Sequence, residues 1–393
     1  MVFFFAISRE PRRLTGATSG QDCGSFTGLL DGNLKETKPM LAYAVTLLLM
    51  ATGNSITETP GDNANGIDMD NVAQVQFERN AALAYWRIFR VGDKTDGLLD
   101  LALDAFESLR MEGHEAMHPP GADPLRPGGP LDVALETAKP LLDELQEISA
   151  WPYCDFENRH EHGYEMTLAH VQPMRDYARV LMVDARRLVE AGRVEEGFSR
   201  MAGAFRMAGH LTHDGAAISA QLAMSTLRHA IEQTHLLLDR EKLASPSEIM
   251  SILTRYQQPD PFGFVAAIAL EANALVLLSS RFGGDDAGHA FVEALQAMGV
   301  RVEPIRAEPL RAMDAMALGA DISRALTAYE TLAKQWRTEA SHRQIEDTIL
   351  RVRSGEFGQS AALVLSGFDQ YRRNEAMTLQ AVQALRQRLN PPG

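Results

Sequence analysis

Residues 177–208, YARVLMVDARRLVEAGRVEEGFSRMAGAFRMA, read as two amphipathic helices hinged at Gly192. In the first half Tyr177, Ala178, Leu181, Ala185 and Leu188 recur at three- and four-residue spacing, the period of one helix face. After Ala191-Gly192-Arg193, the residues Val194, Phe198, Met201, Ala202, Phe205 and Ala208 repeat the pattern. A glycine at the hinge lets the first helix end in a left-handed turn without a Cβ clash, so Gly192 is assigned a structural role. The unit is a helical hairpin, which presents a surface rather than a chemical centre.

The same period extends outward in both directions. Residues 68–91 carry a stripe of Val72, Val75, Ala82, Tyr85, Trp86 and Phe89, and residues 98–109 one of Leu98, Ala102, Ala105, Phe106 and Leu109. Pro and Gly keep residues 117–130 out of a helix. Residues 131–148 resume one, with Leu135, Leu142, Leu145 and Ile148 as its face. Beyond the hairpin, helices are expected at 214–238, from Pro246 to Pro259-Asp260-Pro261, at 262–282, at 322–353 and at 356–389. Ser245-Pro246-Ser247-Glu248 supplies a start signal, with Ser245 as cap, Pro246 at the first position and Glu248 at the third. Only residues 300–305 have any strand character. The fold class is therefore all-α: antiparallel helical hairpins, tetratricopeptide-like or in an irregular helical array. Gly192-x-x-x-x-Gly197-Phe198 followed by Ala204-Phe205 echoes one tetratricopeptide unit, whereas a stable solenoid needs about three.

Residues 41–51, LAYAVTLLLMA, form an apolar run too short for a bilayer, which takes about 20 residues. Lys35 and Lys38 precede it, and Ala51-Thr52-Gly53 places small residues where a signal peptidase cuts. The expectation is a signal peptide at about 40–53, within an N-terminal targeting region of 1–53 in which translation starts at Met1 or at Met40. A polar linker follows at 54–67, then one helical domain at 68–390, with a possible subdivision near 150–169. Localisation follows as exported, periplasmic or cell envelope.

The 393 residues have 45% hydrophobic content, enough for a folded core, and a net charge of −14 spread along the chain. No basic stripe exists to neutralise phosphates, which argues against nucleic acid, and no stable membrane span is expected in the mature chain. The two cysteines are Cys23 and Cys154, so removal of the targeting region leaves no disulfide.

Several stretches together resemble a group of uncharacterised exported helical proteins of planctomycete-type bacteria, over roughly residues 70–390. They are Asn80-Ala81-Ala82-Leu83-Ala84-Tyr85-Trp86, Leu168-Ala169-His170-Val171 with Met174-Arg175, the hairpin ending in Gly209-His210, Pro259-Asp260-Pro261 with the apolar helix carrying Glu271, and residues 375–386. Ala169 stands where that group has Pro, and the group's Pro-rich extension does not follow Asn390-Pro391-Pro392-Gly393. The resemblance implies an exported helical protein and brings no activity with it.

Chemistry was sought among the 11 histidines. Glu-x-x-His occurs at Glu115/His118, Glu157/His160, Glu232/His235 and Glu339/His342. On a helix that spacing puts both ligands on one face, and paired copies with extra Glu build di-metal carboxylate sites in bundles. Glu232, His235, Glu339 and His342 lie on expected helices, and Glu271 is an isolated carboxylate in an apolar one, so these five are the metal candidates. Solvated helix faces are the competing account. Cys154, His160, His162 and His170 have zinc-ligand chemistry at a spacing that fits no zinc signature. His170 is instead assigned a structural role, its imidazole bonding a loop carbonyl where the hairpin begins. His210, His213 and Asp214 could orient a general base, but no Ser or Cys stands at a nucleophile elbow. Gly283-Gly284 lacks the Lys and hydroxyl of a phosphate loop.

Two function classes follow. The favoured one is a protein-interaction or scaffold module of the cell envelope, with an unidentified protein partner and no cofactor. The alternative is a metal-binding helix-bundle enzyme, which requires the five candidate side chains to converge.

Overall fold

The hairpin forms as its periodicity demands, and the rest of the chain is arranged around it. The computed structural model describes residues 80–92, 98–111, 125–243, 245–300, 302–338 and 342–390. The targeting region, the linker at 54–67, residues 68–79 of the first expected helix and Glu339 lie outside the described residues. Every regular element among the described residues is helical, and Val300 and residues 302–305, where strand character was expected, carry no strand.

In chain order the first elements are α1 (Ala81–Gly92), α2 (Leu98–Met111), α3 (Pro130–Thr137) and α4 (Lys139–Ser149). A 3₁₀ segment at His160–Glu165 precedes the hairpin helices α5 (Val171–Glu190) and α6 (Val194–Leu211). After a 3₁₀ turn at Thr212–Asp214 come α7 (Ala217–Arg240), α8 (Ser247–Thr254), α9 (Phe264–Ser279) and α10 (Ala287–Ala297). The remaining elements are α11 (Pro304–Arg311), α12 (Ala315–Arg337), α13 (His342–Arg353), α14 (Gln359–Val364) and α15 (Phe368–Leu389).

At the hinge Gly192 has φ +79°. The Arg193 amide reaches Leu188 O at 2.8 Å and the Gly192 amide reaches Val189 O at 2.9 Å, the paired bonds that close a helix behind a left-handed residue. Across the hairpin, Gly197 lets α5 and α6 approach closely. A Cβ there would sit 2.6 Å from Val189 Cγ2 and 2.7 Å from Ala185 O.

Several boundaries differ from the sequence expectation. The helix expected at 131–148 is two helices, because Pro140 has no amide to bond Glu136 and its ring crowds that carbonyl. The helix expected at 322–353 runs as α12 and α13, and that at 356–389 as α14 and α15 with Gly367 between them. Ser245 caps nothing: α8 begins at Ser247, Ser245 Oγ pairs with Ser247 Oγ at 3.0 Å, and Glu248 bonds Arg206 instead.

The core is one continuous cluster running the length of the array. Tyr85, Phe89 and Tyr177 stack where α1 meets the hairpin, and Phe264, Trp336, Phe368 and Tyr371 group on the other side. α7 is the element common to both sides, packed by α5, α6, α9 and α15. Between α5 and α6 lies an ionic group centred on Asp184, only 1% exposed. Its carboxylate faces Arg187 and Arg200, each at 2.9 Å. Those guanidiniums reach on to Asp132 and Glu136 of α3 and Asp143 of α4.

Candidate functional site

Two places concentrate polar chemistry. The first is a buried junction where residues 151–158 cross the start of the hairpin and the turn after α6. His170 Nε2 lies 2.6 Å from Asp214 Oδ2, and Ser219 Oγ donates to the same oxygen at 2.5 Å. Asn158 Nδ2 donates to Asp214 Oδ1 at 2.9 Å, and Phe156 stacks on the His170 ring with centroids 3.8 Å apart. Ser, His and Asp are thus together in the wrong order for catalysis. A nucleophilic serine must give its proton to the imidazole, whereas Ser219 gives its proton to the carboxylate. His170, Asp214 and Ser219 are also all buried. At the start of the hairpin His170 meets the Asp214 carboxylate, where a loop carbonyl was expected.

His210 sits beside this junction with its tautomer set by its partners. The Trp151 carbonyl can only accept, so Nε2 donates to it at 2.9 Å, which leaves Nδ1 to accept from the Tyr85 hydroxyl at 2.9 Å. Burial, reinforced by the neighbouring His213, pushes the His210 pKa down to about 3. His213 in turn bridges the Cys154 carbonyl and Arg255. Cys154 is buried and free. The junction is a satisfied structural knot.

The second place is a cavity of about 110 Å³ where α7, α9, α15 and the segment before α5 meet. Met166, Leu168, Ala216, Ala217, Ile218, Leu270 and Ala274 make most of its wall, and Glu271 is the one carboxylate in it. No Lys, Arg or His lines it. Met166, Ala216 and Leu270 form a small apolar cluster of their own, apart from the main core. Tyr164 and Tyr371 bring phenol rings, and Gln221 and Asn374 bring amides. Asn374 Nδ2 donates to Gln221 Oε1 at 3.0 Å, while Gln221 Nε2 is buried with no acceptor.

Each wall is fixed by local sequence. Asp260, at φ +50°, starts α9 by accepting from the Phe264 amide at 2.6 Å and the Val265 amide at 2.8 Å. That is the role of Pro259-Asp260-Pro261. Gly263 follows at φ +74° because a Cβ there would lie 2.9 Å from Thr212 O. Gly163, at φ +56°, brings the 3₁₀ segment onto α9, where a Cβ would stand 3.3 Å from Ala274 Cα. Arg281 clamps the same segment through Glu165 at 2.5 Å. On α15, Tyr371 stacks on Phe264 with centroids 5.7 Å apart.

Glu271 projects from a helix that is apolar nearly all round. Burial pushes its pKa up to about 7, and the Tyr164 hydroxyl only partly offsets this. No basic side chain stabilises its charged form. Tyr164 lies between Glu271 and Tyr329, and burial raises both phenols well above their ordinary value. Glu271 is half-buried, in the cavity wall. A carboxyl poised near neutrality without a cationic partner is chemically uncommon.

Of the metal candidates among the described residues, only Glu271 lines this place. Glu232 is exposed on α7, and His235, one turn away, is engaged by Arg388 at 3.1 Å. Glu271 is in the cavity, while Glu339 and the His342 side chain fall outside the described residues. His160 and His162 are exposed, whereas Cys154 and His170 are buried. Among the described residues no group of three or more His, Cys, Asp or Glu is placed to hold a metal ion. Sequence reasoning found Glu271 through its isolation in an apolar helix. It missed Tyr164, Tyr371, Gln221 and Asn374, which reach the site from elements distant in the chain and carry no local signal.

No helix among the described residues is long and apolar enough to cross a membrane. Comparison with protein-family models, curated proteins and solved structures found no match.

Proposed function

We propose that this chain is a binding module rather than an enzyme, and that the cavity beside Glu271 takes a small organic molecule. The observation that carries the reading is the cavity itself: about 110 Å³, apolar over most of its wall, with a few convergent polar groups and one perturbed carboxyl. For scale, an engineered apolar cavity of about 150 Å³ holds benzene. The buried His170–Asp214–Ser219 knot offers no reachable nucleophile, which favours binding over catalysis. The apolar run at 41–51 supports export to the envelope, where such a module would act. In this proposal the tetratricopeptide-like hairpin is a docking element for a protein partner.

The test is a ligand-observed NMR screen of small neutral and charged organic molecules against residues 54–393, repeated with Ala274→Leu. A bound molecule lost on filling the cavity supports the proposal. A screen in which nothing binds, or in which Ala274→Leu binds equally well, overturns it. Recovery of a mature N-terminus near residue 54 from cells checks export separately.

A further inference from the structure

We infer that the cavity selects small protonated amines, with Glu271 as counter-ion and the neighbouring tyrosine rings as the walls for the apolar body. This rests on the cavity being a ligand site at all, and adds the class of ligand.

The argument is one of unmatched charge. Among the described residues Glu271 is the only acid in the cavity wall, and no basic side chain lines the wall to match it. The groups facing it are the phenols of Tyr164 from the 3₁₀ segment, Tyr329 from α12 and Tyr371 from α15. From α7 the one polar side chain in the wall is the uncharged Gln221. Buried carboxylates are normally paired with a cation supplied by the protein. Here the protein supplies none, and a bound ammonium would complete the pair.

The remainder of the wall suits the same ligand. Phenol faces carry negative charge density and attract ammonium groups, while their hydroxyl oxygens accept N–H bonds. Leu270, Met166 and Ile218 receive an alkyl body. An anion is disfavoured twice, by Glu271 and by the absence of any basic group in the wall. A neutral ligand would leave Glu271 protonated and would use only the apolar surface. The chain's net charge of −14 also favours approach of a cation over an anion.

Proton linkage gives the inference its signature. Glu271 must be ionised to pair with an ammonium, and burial holds its pKa at about 7 in the empty cavity. Binding near pH 6 therefore expels one proton from Glu271 to the buffer, and the ammonium keeps its own. Affinity rises from pH 5.5 to pH 8 and then levels.

The experiment is calorimetric titration of residues 54–393 with n-butylammonium and, separately, with n-butanol, at pH 6 and pH 8 and in two buffers of different ionisation enthalpy. Glu271→Gln and Ala274→Leu are titrated in parallel, with circular dichroism melts confirming that each is folded. The expected result is ammonium binding at least about tenfold tighter than the alcohol. It should release protons at pH 6 and be lost in both variants. Should Glu271→Gln not fold, the alcohol comparison and the proton release decide the matter on the wild-type chain. Alcohol binding equal to ammonium binding, without proton release, overturns the amine class and leaves the cavity reading intact. No binding of either probe overturns the amine inference. Should the wider screen also find no ligand, the cavity reading fails with it.

Discussion

Glu271 and His210 both have strongly displaced pKa values, and they act in opposite directions. Glu271 has its pKa lifted to about 7 from an ordinary 4.5, so the folded state holds its proton longer than the unfolded chain does. Stability from this group is full below pH 4.5 and is lost as pH rises through 7. Glu271→Gln should therefore gain on the wild type by up to about 3 kcal/mol at pH 8.5 and by nearly nothing at pH 4.5, read from urea midpoints. His210 is the reverse case, with its pKa pushed down to about 3 while the unfolded chain titrates near 6.5. Its contribution is present above pH 6.5 and falls by roughly 1.4 kcal/mol per pH unit below that. In His210→Gln that acid slope should flatten, although the variant loses stability at pH 7 because Tyr85 and Trp151 lose their shared partner. Legibility in the sequence differs for these two residues. Glu271 was visible because a single charge in VAAIALEANALVLL breaks an apolar pattern. His210 was grouped with His213 and Asp214 by adjacency, yet its partners are Tyr85 and Trp151, far off in the chain.

At the level of elements, glycines and caps decide how closely the helices meet. Gly288 in α10 donates its amide to Met313 O at 2.9 Å, and a Cβ on it would stand 1.8 Å from Leu310 O. Gly288→Ala must push α10 off α11, at an expected cost of about 1–3 kcal/mol by thermal melting. Asp321 of α12 plays the matching role for α14. It accepts from the Gln359 amide at 2.9 Å, the Ser360 amide at 2.8 Å and Ser360 Oγ at 2.6 Å, and it is 1% exposed. Asp321→Ala removes this cap and leaves buried donors unmatched, so about 1–3 kcal/mol should be lost. Ala at Gly358, which has φ +94° and faces the same carboxylate, should cost a comparable amount. The existence of the longer helices was readable from apolar spacing. Helix ends were less so, since Pro140 split one helix and Glu248 left the start of α8 for Arg206. The short α10 and α11 went unassigned because Phe291, Val292 and Leu295 give too brief a stripe to stand out.

Across the whole molecule, the Asp184 group ties the hairpin to α3 and α4. Removing a buried acid that neutralises two guanidiniums strands their charge, so Asp184→Ala should cost about 3–5 kcal/mol, measured by chemical denaturation. Arg200→Met, which removes charge and keeps volume, should cost less. The all-helical class was fully legible, because 3.6-residue periodicity is a local property. The arrangement was not, because α15 reaches α7 and α9 through contacts such as Gln221–Asn374 and Phe264–Tyr371, between residues more than a hundred positions apart. Cys154, buried within the crossing segment with burial raising its thiol pKa, has a consequence of its own. In a chain beginning at residue 54 it is the sole sulfhydryl, so reaction with a disulfide reagent becomes a stopwatch on native-state opening of that segment. Labelling time would then report how often the knot around His170 comes undone, with no engineered probe.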